Sequence, residues 1–402
     1  MTNRQAAIQI IHKLRKAGFE SLLAGGCVRD MLLGKAPKDY DVVTNARPDE
    51  ICKIFRRTIK VGAKFGVIIV LIDSQQIEVA TFRAEAGYSD GRRPDKISFT
   101  SAKEDALRRD FTINGMFYDP LKKEVIDYVG GRDDLKRKII RTIGRPDERF
   151  GEDYLRLLRA VRFAGRLDFK IEKNTLNSVK KYSGKIVNIS GERIAAELES
   201  LSAACCRKKG VELLIDTGLA KKIFPAFKKK DVAESAERIF DYLPKIITFE
   251  LFVAALFVGA DTSAVMENLK ILKLSTSQSK YIKFLLENRG YLLGDEISLA
   301  QLKTIVSGPY FEDLYLLQKA IQKSAGRSVS PLLAIRRRVN ALAGVELKPK
   351  PLLNGHELMA LGAKPGPQVG VVSKELYIAQ LSEKITTKTQ AVKWVKDWLK
   401  NR

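Results

Sequence analysis

The chain has 402 residues, of which 45% are hydrophobic and 29% charged, so the composition excludes a disordered polypeptide and the length predicts about two to four domains. A net charge of +24, from 71 basic and 47 acidic residues, argues against a role confined to small neutral metabolites. It favours a polyanionic partner, first of all nucleic acid, over the alternative that the whole chain is merely basic. With two histidines, and four cysteines that lack zinc spacing, histidine metal clusters and histidine-paired nucleophiles are close to excluded.

The N-terminal segment predicts an amphipathic helix over residues 4–17, which Gly18 ends. Its charges are scattered, which is not the pattern of a signal peptide, and no apolar run approaches the ~18 residues that a membrane span needs. We therefore expect a cytoplasmic protein with no membrane contact, and the sequence implies no obligate protein partner.

The stretch from Leu22 to Asp41 combines a glycine turn with two aspartates. Gly25 and Gly26 follow a short apolar strand and precede a helix, so their backbone N–H groups could approach a phosphate. On an extended strand, Asp39 and Asp41 would face the same side and present two carboxylates to one point. This arrangement predicts a nucleoside triphosphate held between the glycine turn and carboxylate-bound Mg²⁺.

Two β-rich runs, residues 67–73 and 76–82, predict a hairpin. Glu78 lies in the second run among apolar residues, where it is either a third metal ligand or a solvent-facing residue of an alternating strand. Residues 85–99 are rich in Gly, Arg, Asp and Pro and predict a charged, mobile loop. The motif RRDFTIN follows at residues 108–114, and residues 130–132 predict a turn.

Residues 152–165 predict one helix with an arginine-rich face. On an ideal helix Asp153 and Arg156 lie about 60° apart, whereas Asp153 and Arg162 face opposite sides. We therefore expect either a bent helix or a phosphate-binding or structural role for Arg162. The alternative is a solvated arginine face on a core helix.

The C-terminal half predicts further helices. In the helix over residues 190–201, the charged side chains Glu192, Arg193 and Glu197 are interpreted as structural, holding neighbouring helices by ion pairs. Basic clusters recur at residues 207–209, 228–230 and 336–338, and their recurrence favours an extended track for RNA backbone.

Five blocks in order resemble the class II tRNA nucleotidyltransferase and bacterial poly(A) polymerase family. They are LLAGGCVRDMLLG with DYD, TFR with RRDFTIN, EDYLRLLRAVRF, GERIAAELESL and ALGAKPGPQVG. The resemblance implies an α+β fold, with a polymerase-beta-like nucleotidyltransferase palm that contains a mixed sheet, followed by all-α domains. The expected domains are a head over residues 1–145, a neck over 146–203, a body over 204–310 and a tail over 311–402.

The resemblance also implies roles for individual residues. Asp39 and Asp41 match the magnesium ligands, and Glu78 the third active-site carboxylate. Gly26 and Arg29 fall on positions that hold the triphosphate, next to Gly25. Asp153 and Arg156 fall on the positions that read the base. Four further residues fall on nucleotide-contacting positions: Arg159, Arg162, Arg109 and Asp110. Gly115, where related sequences commonly have alanine, is a minor departure.

The implied reaction is addition of CCA to the 3′ end of tRNA from CTP and ATP, with Mg²⁺ as cofactor and the tRNA acceptor arm as partner. A poly(A) polymerase, or an enzyme that adds only A or only CC, shares all five blocks. A non-catalytic RNA-binding protein on the same fold is disfavoured because no proposed metal carboxylate is replaced.

Overall fold

A computed structural model describes residues 1–87, 96–294 and 297–401. The chain divides into two compact units, one formed by Met1–Lys228 with Asn268–Lys273 and the other by Lys229–Glu267 with Leu274–Arg402. The finer division into head, neck, body and tail stays a prediction. Within the described ranges, no helix is both long and apolar enough to span a membrane.

The first unit contains the β-structure. Its strands are β1 Ser21–Ala24, β2 Asp41–Thr44, β3 Thr58–Gly62, β4 Val67–Ile72, β5 Gln75–Thr81, β6 Arg83–Ala86, β7 Lys96–Phe99, β8 Phe117–Asp119, β9 Glu124–Ile126, β10 Ile139–Ile140 and β11 Lys170–Ile171. Seven of them form a mixed sheet in the order β3-β4-β5-β2-β1-β8-β9. The predicted α+β fold with an N-terminal mixed sheet is confirmed.

The helices continue to the C-terminus. In chain order they are α1 Asn3–Lys16, α2 Gly26–Leu32, α3 Pro48–Ile54, α4 Ala102–Leu107, α5 Gly131–Arg137, α6 Pro146–Glu152, α7 Leu155–Leu167, α8 Lys173–Tyr182, α9 Gly191–Ser202, α10 Arg207–Asp216, α11 Leu219–Ile223, α12 Lys230–Ile239, α13 Phe249–Leu256, α14 Thr262–Leu269, α15 Thr276–Glu287, α16 Leu299–Val306, α17 Phe311–Ser324, α18 Ser330–Ala341, α19 Gly355–Ala360, α20 Pro367–Leu381 and α21 Lys388–Lys400. The N-terminal helix is confirmed and begins at a capping box formed by Thr2 and Gln5.

Strand pairing brings three separate parts of the sequence to the same end of three neighbouring central strands. β1 pairs antiparallel with β2 so that Ala24 lies opposite Asp41. β2 runs parallel to β5, with Val42 opposite Val79, so Asp41 and Glu78 take neighbouring positions immediately before that pair. The glycine turn after β1 therefore lies beside the acidic start of β2.

Apolar side chains on the sheet explain why these short strands hold together. Leu22, Val43, Phe82 and Phe117 share one buried cluster, and the Phe82 and Phe117 rings meet edge to face at 6.1 Å. Burial of such a cluster is the dominant stabilising contribution to a sheet of this size. The polar ends of β1, β2 and β5 are thereby held in a fixed frame.

Three predicted elements differ from the structure. The hairpin of β4 and β5 is confirmed, but the loop predicted over residues 85–99 begins and ends in paired strands β6 and β7, and residues 88–95 lie outside the described part of the chain. The turn predicted at residues 130–132 opens helix α5 instead. The single helix predicted over residues 152–165 is broken, because Asp153 has extended backbone angles between α6 and α7.

Candidate active site

A pocket of about 680 Å³ in the first unit gathers the predicted site residues. All of them except Glu78 line it: Gly25, Gly26, Arg29, Asp39, Asp41, Arg109, Asp110, Asp153, Arg156, Arg159 and Arg162. Glu78 lines an adjoining cavity of about 300 Å³ together with Asp39 and Asp41. The two aspartates therefore stand between the pocket and this side cavity.

The glycine turn closes one side of the pocket. Gly25 has φ 72° and precedes α2, a left-handed conformation that favours glycine. A Cβ atom there would lie 3.0 Å from Nη1 of Arg109. Glycine thus meets two requirements at this position, the backbone conformation and the close approach of the arginine.

Three carboxylates form the acid end, Asp39 and Asp41 in the pocket and Glu78 in the adjoining cavity. Asp39, Asp41 and Glu78 are all exposed, and within the described chain no basic side chain forms an ion pair with any of them. Partial desolvation of the Asp41 carboxylate and the negative charge of Glu78 raise the pKa of Asp41 to about 6. Asp39 raises this pKa by a smaller amount, and the charge of Arg109 opposes the shift. Glu78 is the solvent-facing residue of an alternating strand, and its role in the site stays a prediction.

Arg109 bridges the acid end and the rest of the pocket. Its Nε and Nη2 donate to Asp105 at 3.2 and 3.0 Å, and the guanidinium lies over the Phe117 ring at 5.1 Å. Burial would raise the pKa of Asp105, but Arg109 and Arg108 hold it below its usual value. A buried, ionised aspartate thus fixes Arg109 in place.

Asp110 connects the pocket wall to helix α7. One of its oxygens accepts from Arg159 Nε and Nη2 at 2.8 and 2.6 Å, and the other accepts from the Phe111 N–H and from Asn114. Burial would raise the pKa of Asp110, yet the charge of Arg159 and the hydrogen bonds from Asn114 and Arg159 lower it to about 2. Asp110 is therefore ionised and acts as an acceptor only.

The proposed base-reading residues Asp153 and Arg156 each have a separate protein partner. Asp153 accepts from Arg193 Nη1 at 3.3 Å and from Nη2 at 2.6 Å, while Arg156 pairs with Glu152. On one ideal helix Asp153 and Arg162 would face opposite sides, but the helix is broken at Asp153, so this restriction does not apply. Asp153, Arg156 and Arg162 line the same pocket because Asp153 lies before α7 and not on it.

A single aromatic ring lies beneath three of the arginines. The guanidinium carbons of Arg29, Arg159 and Arg162 lie 5.2, 5.4 and 4.0 Å from the Phe163 ring centroid, within the range of cation–π attraction. Arg162 also donates to Glu197 at 2.5 Å. These contacts hold like charges close together.

Two family models match within the first 231 residues of the chain. A model described as "Poly A polymerase head domain" matches residues 21–141, and one described as "Probable RNA and SrmB- binding site of polymerase A" matches residues 168–231. The CCA-adding enzyme of Streptococcus sanguinis (strain SK36) is 35% identical over 376 residues, 92% of each chain. This chain belongs to the CCA-adding enzyme family.

Other relatives of the CCA-adding family agree. The CCA-adding enzyme of Bacillus pumilus (strain SAFR-032) is 40% identical over 276 residues, 68% of each chain. The structure of the Bacillus stearothermophilus CCA-adding enzyme in complex with CTP aligns with a TM-score of 0.78 at 26% identity, covering 100% of this chain and 99% of that one. The predicted family, its fold and its nucleotidyltransferase class are confirmed.

Several pocket residues of this family member were missed by sequence reasoning. Asn114, Phe163, Arg166 and Arg193 line the pocket, although Arg193 was interpreted as structural. The predicted ion pairs of α9 are confirmed, but two of them hold pocket residues: Arg193 with Asp153 and Glu197 with Arg162. The one available signal was the position of Asn114 inside the RRDFTIN block.

Two sequence interpretations need correction. Arg207, in the first basic cluster, is 5% exposed and donates to the Ser202 carbonyl at 2.7 Å, so its side chain is part of the interior and not of a surface track. At Gly115 a Cβ atom would lie 2.7 Å from Val129 Cγ2 and 2.9 Å from Ile143 Cδ1. The departure from alanine is therefore not minor, because neighbouring side chains fill the space a methyl group would need.

Proposed function

We propose that this member of the CCA-adding family adds CCA to the 3′ end of tRNA from CTP and ATP without a nucleic-acid template. The observation that carries the proposal is one pocket in which exposed aspartates adjoin a set of fixed arginines. The similarity to an enzyme determined in complex with CTP supports the choice of substrate.

Asp39 and Asp41 are the proposed ligands of Mg²⁺. Family members generally use a divalent metal, and the chemistry of this donor set fits one: two hard oxygen donors, two positions apart, with no ion pair to the described basic residues. The described residues contain no group of three His, Cys, Asp or Glu side chains placed to hold an ion. Two protein carboxylates with phosphate and water oxygens are the usual surroundings of Mg²⁺.

When bound, Mg²⁺ supplies positive charge that favours ionisation of the attacking hydroxyl and stabilises the leaving pyrophosphate. The chain's own share is to place substrates: Asp39 and Asp41 mark the position of the reacting phosphate, and Glu78 adds negative potential beside Asp41. This carboxylate cluster favours cation binding because none of its carboxylates forms an ion pair with a described basic side chain.

Gly26, Arg29 and Arg109 are proposed to hold the triphosphate, beside Gly25. Arg29 is 3% exposed and braced by Asp30, with Nε 2.8 Å from its Oδ1, and Arg109 is braced by Asp105. Fixed donors aimed at developing negative charge are each worth roughly 2–4 kcal/mol of barrier. Because their partners hold them beforehand, little reorganisation is needed at the moment of reaction.

Asp153 and Arg156 are proposed to read the base, with Asp110, Arg159 and Arg162 completing the nucleotide contacts. A carboxylate accepts from the exocyclic amine that cytosine and adenine share, while a guanidinium donates to a ring nitrogen or carbonyl. Uracil and guanine present opposite groups there, so polar atoms of the site would be left unpaired. The protein thus takes the place of a template.

The helical remainder is proposed to bind the tRNA acceptor arm. We place the palm at residues 1–145, the neck at 146–203, and RNA-binding body and tail at 204–310 and 311–402. The excess of 71 basic over 47 acidic residues supports this assignment, because neutralising phosphates releases counterions.

Incubation with radiolabelled CTP and ATP and a tRNA that lacks its 3′ end tests the proposal, with product length read on a gel. We expect addition of three nucleotides, C, C and A. A long A tail would instead favour a poly(A) polymerase, the second candidate suggested by the name of the model that matches residues 21–141. Absence of any incorporation would contradict both.

A further inference from the structure

Asn114 occupies the centre of the polar network that joins the two ends of the pocket. It ends a short 3-10 turn after Asp110 and is 7% exposed. Its Oδ1 accepts from Arg29 Nη1 at 2.6 Å, and its Nδ2 donates to Asp110 Oδ1 at 3.1 Å. Its backbone carbonyl oxygen accepts from Arg109 Nη1 at 3.4 Å. One residue therefore contacts both proposed triphosphate arginines and the aspartate that holds Arg159.

The chemistry of the neighbours fixes the orientation of this amide. Arg29 can only donate and ionised Asp110 can only accept, so the Asn114 oxygen must face the arginine and its nitrogen the aspartate. Among side chains of this size, an amide alone offers an acceptor and a donor at adjacent positions without adding charge. An aspartate would place a second negative charge against Asp110, and a leucine would leave both partners without this contact.

We infer that Asn114 is a positioning residue that fixes the triphosphate arginine Arg29 relative to the base-reading end through Asp110 and Arg159. This inference rests on the proposed function, since it takes Arg29 and Arg159 to hold opposite parts of one nucleotide. The chain of contacts is continuous: Arg29 to Asn114, Asn114 to Asp110, and Asp110 to Arg159. A rigid link of this kind sets the distance between the base and the α-phosphate, on which attack geometry depends.

The role explains why a neutral residue stands among so many charges. Asp30 already pairs with Arg29 at 2.7 Å, and a further carboxylate would neutralise the arginine that the triphosphate needs. Asn114 holds Arg29 in place without reducing its charge. Because the link carries no contact of its own to a base, CTP and ATP should depend on it equally.

The test compares two variants with the wild-type chain: Asn114→Asp, close in volume to asparagine, and Asn114→Leu, which has the same number of side-chain heavy atoms but no polar group. Single-turnover rates with enzyme in excess, for CTP and for ATP on the matching tRNA, are measured together with KM and the melting temperature. We expect the rate constant to fall about 10²-fold for both nucleotides, the scale of a 1 Å misplacement. KM should change by less than about threefold in Asn114→Leu and should rise in Asn114→Asp, whose carboxylate neutralises Arg29. Asn114→Ser, smaller and still able to donate and accept, is used if either variant fails to fold.

Gln318 provides a matched control in the other unit. It is fully buried and its amide also bridges a donor and an acceptor, the Leu292 N–H and the Asn288 carbonyl, both at 3.1 Å. Gln318→Glu should lower the melting temperature and leave the single-turnover rate unchanged.

Three results would overturn the inference. Unchanged single-turnover rates in the Asn114 variants would show a structural role only, and a loss confined to one nucleotide would show base reading instead of positioning. A wild-type chain that adds no nucleotide would overturn the proposed function and this inference together, whereas an active wild type beside equally active variants would overturn this inference alone.

Discussion

The two ends of the pocket differ in how their charges are balanced. At the acid end, Asp39 and Asp41 are exposed and form no ion pair with the described basic residues. At the opposite end the residues proposed to contact the nucleotide already form ion pairs within the protein, as Asp153 does with Arg193 and Arg159 with Asp110. The difference indicates that one end is left for ligand charge to complete, whereas the other is shaped before the nucleotide arrives.

The largest expected effect is at the acid end. Asp39→Ala should lower nucleotide incorporation by roughly 10³-fold or more, since a metal-binding carboxylate contributes several kcal/mol to the barrier. Stability and tRNA binding should change little, because Asp39 has no ion-pair partner to lose among the described residues. Incorporation, filter binding and thermal unfolding measure the three quantities. Asp49→Asn, at another exposed acid, serves as the control, and an active Asp39→Ala variant would show that the metal assignment is wrong.

The paired end should respond in stability. Asp110→Asn leaves Arg159 without its main partner, and breaking a largely buried pair costs about 3 kcal/mol or more. Urea unfolding of the variant and the wild-type chain measures the difference. A change in the free energy of unfolding below about 0.5 kcal/mol, the range of ordinary surface substitutions, would show that the Asp110–Arg159 pair does not hold this end of the pocket in place.

Base selection is expected to depend on the paired end as well. Asp153→Ala with Arg156→Ala should reduce the preference for CTP and ATP over UTP and GTP by about 10²-fold, because matched polar groups enforce such discrimination. Competition between the four nucleotides for incorporation measures it. If the preference is unchanged, these side chains form only part of the helix surface.

The pH dependence of stability follows from Asp110. Its folded-state pKa of about 2 lies below its ordinary value of 3.8, so its contribution is fully present above about pH 4 and is lost as the pH falls toward 2. This group then accounts for about 2 kcal/mol of the free energy of unfolding. The difference between wild type and Asp110→Asn should shrink over that range, and a constant difference would exclude the ion pair as its cause.

The smallest effect concerns the residue behind Asp153. Arg193→Lys keeps the charge but replaces a two-point contact by a single one, so the preference for CTP and ATP should fall by about three- to tenfold, less than in the double variant. The same competition experiment measures it. A loss as large as that of the Asp153 and Arg156 variant would mean that Arg193 itself reads the base.

Features set by neighbouring residues could be predicted from the sequence, whereas features set by contacts between distant residues could not. The glycine turn and the spacing of Asp39 and Asp41 are local, so their pattern predicts them. The neighbouring positions of Asp41 and Glu78 depend on the parallel pairing of β2 with β5, for which residue spacing carries no signal. The strand pattern left two interpretations of Glu78 open, and the family resemblance favoured the one that places it in the site.

The helix break at Asp153 is a second feature that the local sequence pattern could not predict. Residues 152–165 have continuous helical periodicity, and local pattern alone predicts no interruption. The extended backbone at Asp153 accompanies a contact with Arg193, forty positions along the chain. Asn114 was missed for a similar reason, since its partner Arg29 is 85 positions away and asparagine in an irregular segment usually marks a turn.

Equilibrium binding of CTP, ATP, UTP and GTP to Asp41→Asn tests most directly whether the two ends have separate roles. We expect this variant to transfer no nucleotide yet to bind CTP and ATP over UTP and GTP with the wild-type preference. Loss of that preference would contradict the account, because it would show that the acid end also chooses the base.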